Sequence, residues 1–177
     1  MFAVQRGDPE AFRELYDAYR ERIYNLVTYS IGDPLQTQDV LQTIFLKVFR
    51  GLRGFRFQSS LSTWIYRIAH NECQNYHRAW RAPHVPLEAI LGSHHEIDTR
   101  PVSHEQHARQ ERDVILQQAL MQLPFKMREV VVLKYVEGLS YDEIGRVLGC
   151  APGTVASRLN RALTELEERL RPFKRLL

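Results

Sequence analysis

Apolar residues recur at three- and four-residue intervals along most of this chain, and the rhythm breaks where glycine and proline cluster. Phe12, Leu15, Tyr16, Tyr19, Ile23, Leu26 and Val27 form one stripe, the spacing of an amphipathic helix. Asp8 is placed to cap that helix with Pro9 at its first position, and Gly32-Asp33-Pro34 stops it. A second helix is predicted over roughly 36–52. It turns Val40, Leu41, Ile44, Phe45, Val48, Phe49 and Leu52 inward and Asp39, Gln42, Lys47 and Arg50 outward. A third helix follows Leu61-Ser62-Thr63-Trp64 and runs to about Trp80. Ile65, Ile68, Ala69 and Cys73 turn inward there, whereas Arg67, His70, Asn71, Gln74 and Arg78 share the outer side.

The period fails over 82–103, where Pro83, Pro86, Gly92 and Pro101 punctuate the chain. It resumes from Glu105, with Val114, Ile115, Ala119, Leu120 and Leu123 on one face. Pro124 opens another helix over 125–136, which turns Met127, Val130, Val131, Leu133 and Val136 inward and ends at Gly138. Val130-Val131-Val132 alone suits a strand, but its proline and glycine borders among helices favour helix. Ser140 and Glu143 then form an S-x-x-E capping box, Ile144, Val147 and Leu148 follow on one side, and Gly149 ends the short helix. After Cys150-Ala151-Pro152-Gly153 a last helix is predicted from about Thr154. Val155, Leu159, Ala162 and Leu166 face inward, and Ser157, Arg158, Asn160 and Arg161 face out. Two short helices across a tight turn, with hydrogen-bonding side chains at the start of the second, suit a DNA major groove, although structural hairpins share the spacing. The fold class is all-α: two small helical domains, 1–81 and 105–177, joined by a flexible linker over 82–104, the second holding the helix-turn-helix.

Composition changes this picture little. The 177 residues are 44% hydrophobic and 25% charged, ordinary for a globular protein, and the net charge of +3 favours polyanionic partners only mildly. Cys73 and Cys150 are far apart, which fits buried thiols in a reducing compartment better than a disulfide or zinc knuckle. The start of the chain is not a secretory signal and no apolar run could span a bilayer, so membrane insertion is not expected and the location is read as cytoplasmic. His84, His94, His95, His104 and His107 crowd the linker. His104-Glu105-Gln106-His107 is one residue short of H-E-x-x-H, so its imidazoles lack the i, i+4 placement of a zinc site. No catalytic centre, metal or cofactor is expected.

Charge and aromatics combine more pointedly over 53–81. Arg53, Arg56, Arg67, Arg78 and Arg81 stand against the single acid Glu72, and Phe55 and Phe57 alternate with arginine. Arginine interleaved with aromatics suits single-stranded nucleic acid, which offers base faces for stacking and phosphates for charge. Core anchoring is the competing reading for the aromatics, and is favoured for Trp64.

Together these stretches resemble the sigma-70 factors, specifically the short extracytoplasmic-function group. The resemblance rests on GDPEAFRELYDAYRERIY, DVLQTIFLKVF, FRFQSSLSTWIYRIAHN and LPFKMREVVVLKYVEGLSYDEIGRVLGCAPGTVASRLNRA, in that order, and covers nearly everything but the linker. It implies a factor that binds core RNA polymerase, recognises the −35 and −10 promoter elements and helps to open the strands. By motif, Asp39, Gln42, Thr43 and Leu46 would dock on the polymerase clamp coiled coil. Phe55, Arg56, Ser60, Arg67, His70, Asn71, Gln74 and Arg78 would read the −10 element, Asn71 lining a pocket for a flipped base. Thr154, Ser157, Arg158, Asn160 and Arg161 would serve the −35 element. An anti-sigma factor is the further partner this group implies. Two departures stand out: Ala156 occupies a position where relatives commonly carry a base, and Pro152 falls one residue later than the usual proline.

Charge balance supports a subunit over an autonomous regulator. From 139 to 170, Arg146, Arg158, Arg161 and Arg169 meet Asp142, Glu143, Glu165, Glu167 and Glu168. Phosphate neutralisation supplies non-specific DNA affinity, so this nearly neutral domain should hold duplex weakly alone. A stand-alone helix-turn-helix regulator, the rival reading, also has no use for a single-strand reader. Residues 82–103 as a free coil span about 26 Å, and about 75 Å when fully stretched. Two promoter elements lie roughly 60–70 Å apart along the duplex, so the linker must be nearly extended when both domains are engaged, and the free protein is expected to be compact.

Overall fold

The computed structural model describes residues 8–80 and 104–173, and every regular element among them is helical. The helices are α1 (Pro9–Ile31), α2 (Pro34–Leu52), α3 (Leu61–Trp80), α4 (His104–Met121), α5 (Phe125–Val131), α6 (Tyr141–Leu148) and α7 (Pro152–Leu170). A π-helical turn, Val132–Val136, extends α5. Residues 81–103, with most of the predicted linker, lie outside the described residues.

Local sequence sets the boundaries. The Asp8 carboxylate accepts from the N–H groups of Glu10 and Ala11, and Asp33 does the same for Leu35 and Gln36, each ahead of a proline, which has no N–H to satisfy. Gly32 ends α1 at φ 74°, a left-handed turn. A Cβ there would also collide with the Met121 side chain at the end of α4.

Two cores result. Ile23 and Val27 of α1, Ile44 and Val48 of α2, and Ile65 and Ala69 of α3 are wholly buried where these three helices meet. In the second half Val130, Val132, Ile144, Val155 and Ala162 are equally buried where α5, α6 and α7 meet. The halves do not stand apart. α3 packs on α6, and α1 packs on α4, α5 and the π turn.

The apolar stripes differ from expectation in a few places. Phe49 is 43% exposed and meets Phe12 edge-on at 4.9 Å, because both rim an open groove. Val114 is half exposed, one turn or more upstream of the buried Ala119 and Leu120. Val136 is also half exposed. The π turn explains it: an extra residue per turn advances the register by about 100° and rotates Val136 off the core face. α7 begins at Pro152 rather than Thr154, since the fixed φ of proline suits a first helical position.

Candidate nucleic-acid and partner interfaces

The helix-turn-helix is built as its sequence suggests. Ser140 Oγ accepts from the Glu143 N–H at 3.3 Å, and Glu143 Oε2 accepts from the Ser140 N–H at 2.9 Å. The Ser140 hydroxyl, which donates to Glu143 Oε2 at 2.7 Å, and then the Ser140 N–H hold the Glu143 carboxyl below the usual carboxylate range. Gly149 closes α6 at φ 65°. Gly145 lies so near the turn that a Cβ would sit 2.7 Å from the Cys150 carbonyl oxygen, which fixes the angle between the two helices. On α7, Val155, Leu159, Ala162 and Leu166 are buried while Ser157, Asn160 and Arg161 are exposed. Thr154 and Arg158 are half-buried; the Thr154 carbonyl accepts from Ser157 Oγ at 3.1 Å, and Arg158 reaches toward Cys150 Sγ. The five predicted −35 residues therefore share one end of α7, three of them fully accessible.

The 52–60 loop divides its aromatics. Phe55, a predicted −10 residue, is only 7% exposed and packs between the rings of Phe57 and Trp64. Phe57 is exposed, with its ring 5.0 Å from Phe55, which lies 5.2 Å from Trp64. Ser60 caps α3, accepting from the Thr63 N–H at 3.1 Å, and its hydroxyl pairs with that of Thr63. A cavity of about 200 Å³ opens beside the loop, lined by Gly54, Phe55, Arg56, Gln58, Ser59, Trp64 and Arg67. Arg56, Arg67, Asn71 and Arg78 are exposed; Gln74 is half-buried and accepts from Arg78 Nη2 at 3.0 Å.

His70 is corrected outright. It was expected on the outer side of α3, yet it is buried, with Nδ1 2.5 Å from Glu129 Oε1 of α5. The outer side of an isolated α3 is here covered by the second half of the chain. Burial pushes the Glu129 carboxyl up, against the opposing pull of His70 and Arg128. Nearby, the Tyr66 hydroxyl donates to Glu137 Oε2, and Arg22 Nε donates to the same oxygen at 3.0 Å. Burial and the adjacent carboxylate push the Tyr66 phenol up. Arg128 is buried too, with Nη1 donating to the Met121 carbonyl at 3.1 Å, and the His77 ring lies 4.2 Å from that of Phe125, tilted by 52°. Sequence reasoning missed this seam. Its one signal was Arg128-Glu129 set directly before Val130-Val131-Val132, since charges beside a buried apolar run need buried partners.

A third surface lies on α1 and α2. An open groove of about 620 Å³ is lined by Phe12, Tyr16, Gln38, Asp39, Leu41, Gln42, Phe45, Leu46 and Phe49. Three of the four predicted polymerase contacts, Asp39, Gln42 and Leu46, share it. Thr43 is exposed and its hydroxyl donates to the Asp39 carbonyl at 2.9 Å.

A three-helix unit carrying an arginine-aromatic loop, joined to an exposed helix-turn-helix, defines a two-part nucleic-acid-binding protein. Comparison with known proteins makes this specific. The family described as Sigma-70 region 2 matches residues 15–82, and Sigma-70, region 4 matches residues 113–166. The RNA polymerase sigma-H factor of Pseudomonas aeruginosa is 36% identical over 97% of this chain and 92% of its own length. The ECF RNA polymerase sigma-E factor of Escherichia coli K12 is 33% identical over 97% and 93%. CnrH, solved in complex with the cytosolic domain of CnrY, shares the fold at a TM-score of 0.71 and 22% identity, over 96% of this chain and 93% of that one. The sigma factor RpoE of Bartonella quintana, solved with the anti-sigma factor NepR, does so at 0.69 and 20%, over 92% and 98%. The chain belongs to the sigma-70 family of RNA polymerase sigma factors, in its extracytoplasmic-function group.

Proposed function

We propose that this sigma factor binds core RNA polymerase through the α1–α2 groove, reads the −35 element with α7 and the −10 element with the 55–63 loop and α3, and promotes strand opening. The observation that carries it is α7, whose buried side is wholly apolar and whose other side presents Ser157, Asn160 and Arg161 beyond a fixed turn. Asn71, exposed on α3 beside Arg67, is the side chain assigned to a flipped base, whose extrusion costs a few kcal/mol that a pocket can offset. The factor acts in the cytoplasm and has no catalytic centre of its own. Among the described residues no helix is long and apolar enough to cross a membrane.

The seam supports a compact resting form. With His70 against Glu129 and Tyr66 against Glu137, the two halves touch, whereas promoter elements roughly 60–70 Å apart demand that they separate. Polymerase binding holds them apart. An anti-sigma factor, as bound to the Bartonella quintana relative, is the partner that keeps this chain from polymerase.

Run-off transcription with purified core polymerase tests the reading. Addition of the protein is expected to produce a defined start site; failure to bind core polymerase, or binding with no start site, overturns it.

A further inference from the structure

The seam between the halves holds a cavity of about 460 Å³, lined by Gln74, His77 and Arg78 of α3 and by Pro124, Phe125 and Lys126 around the start of α5. A volume of that size is typical of small-molecule sites. Each half supplies three of the six residues, so the cavity exists only while the halves are closed.

Its charge is of one sign. Arg78 and Lys126 reach it from opposite halves, both exposed, and none of the described lining side chains is acidic. Arg78 Nη2 meets only the neutral Gln74 amide oxygen, at 3.0 Å. Behind the wall the buried Arg128 guanidinium adds a third positive charge, with Nη2 3.5 Å from Nε2 of His77. Arg128 Nη1 bonds the Met121 carbonyl, and its Nε has no hydrogen-bond partner among the described residues. The adjacent Glu129 is engaged by His70. Burial pulls the Arg128 guanidinium below its usual range. Closing the seam therefore gathers like charges without the acceptors that would offset their desolvation. A multiply charged anion supplies both the opposite charge and the acceptors.

We propose that this cavity binds a small phosphate-bearing anion that bridges Arg78 and Lys126 and holds the factor closed. The proposal rests on the compact resting form given above. Promoter phosphates are not the occupant, because promoter engagement needs the halves apart and so dismantles the cavity. The bound anion also occupies Gln74 and Arg78, two residues assigned to the −10 element, and thus opposes promoter reading in a second way. The coupling is reciprocal: the factor by which the anion weakens polymerase binding is the factor by which polymerase weakens binding of the anion.

Calorimetry on the full chain tests this, with inorganic pyrophosphate as the probe and sodium chloride matching the ionic strength. Wild type is expected to bind the probe and to melt at a higher midpoint in its presence. Lys126→Ala is expected to bind about fivefold more weakly, the upper range for an exposed ion pair. Arg20→Ala removes an equal charge from the exposed surface of α1 and is expected to bind as wild type does. Glu137→Ala should lose probe affinity in step with its rise in radius of gyration. A general response of a basic protein to a polyanion would weaken Lys126→Ala and Arg20→Ala alike, and that result overturns the proposal. Lys126→Ala within twofold of wild type overturns it too, as does undiminished affinity in chains that scattering shows to be open. If wild type itself scatters as two separated domains, the compact form has failed and the cavity falls with it. A compact wild type that does not bind the probe refutes the anion site alone.

Discussion

His70 and Asn71 are neighbours on α3 with different surroundings in the closed form. His70 is buried against Glu129, while Asn71 stays in solvent. Asn71→Ala should therefore lower open-complex formation at matched promoters, read by permanganate reactivity, while polymerase affinity stays unchanged; equal loss of both would end the base-pocket assignment. Arg161 is exposed on α7 with its aliphatic neighbours turned inward. Arg161→Ala should cost roughly 1–3 kcal/mol and relax preference at one −35 base pair, measured by competition among single-base variants, if its guanidinium meets a base edge. A uniform loss across all sequences would place it on a phosphate instead.

At the scale of an element, α6 has only eight residues and depends on its ends. The Ser140–Glu143 box satisfies donors that the first turn leaves open. Ser140→Ala should destabilise the protein by about 1 kcal/mol in urea unfolding at neutral pH. The pH dependence has a definite sign. Hydrogen bonds lower the Glu143 carboxyl in the folded state, so its stabilisation is present above the ordinary carboxylate value and is lost as pH falls through the lowered one. The gap between wild type and Ser140→Ala should narrow in acid. The π turn after α5 is the other informative element. By rotating Val136 outward it leaves the Glu137 side chain, one residue on, buried toward Arg22 and Tyr66.

For the molecule as a whole, the seam decides the balance between closed and extended forms. Glu137 bonds Arg22 and Tyr66 across it, and removing the carboxylate leaves the buried Tyr66 hydroxyl without that acceptor, a loss of about 1–3 kcal/mol. Glu137→Ala should therefore raise the radius of gyration of the free factor in small-angle scattering, with wild type remaining compact. Identical curves for the two would show that the seam does not govern closure. Widely separated domains in wild type would refute the compact resting form itself. Glu129 adds a pH term of opposite sign to that of Glu143. Its carboxyl is raised by burial, so its contribution to closure is full below the ordinary carboxylate value and is lost as pH rises through the raised one.

Much was legible from sequence because it depends on neighbours along the chain. Asp8, Asp33, the Ser140–Glu143 box, Gly32 and Gly149 set helix ends through bonds spanning two to four residues, and the stripes of α1 and α7 follow the helical period. The same locality places Ser157, Asn160 and Arg161 on one accessible face. Only the tertiary structure could decide His70, Phe55, Glu129 and Glu137. Whether an outward side of a helix is solvent or seam depends on what the chain places against it 59 or 71 residues later, as in the His70–Glu129 and Tyr66–Glu137 contacts. Periodicity gives each helix a face. The partner of that face is set by long-range packing, where burial free energy and paired buried charge outweigh any local preference.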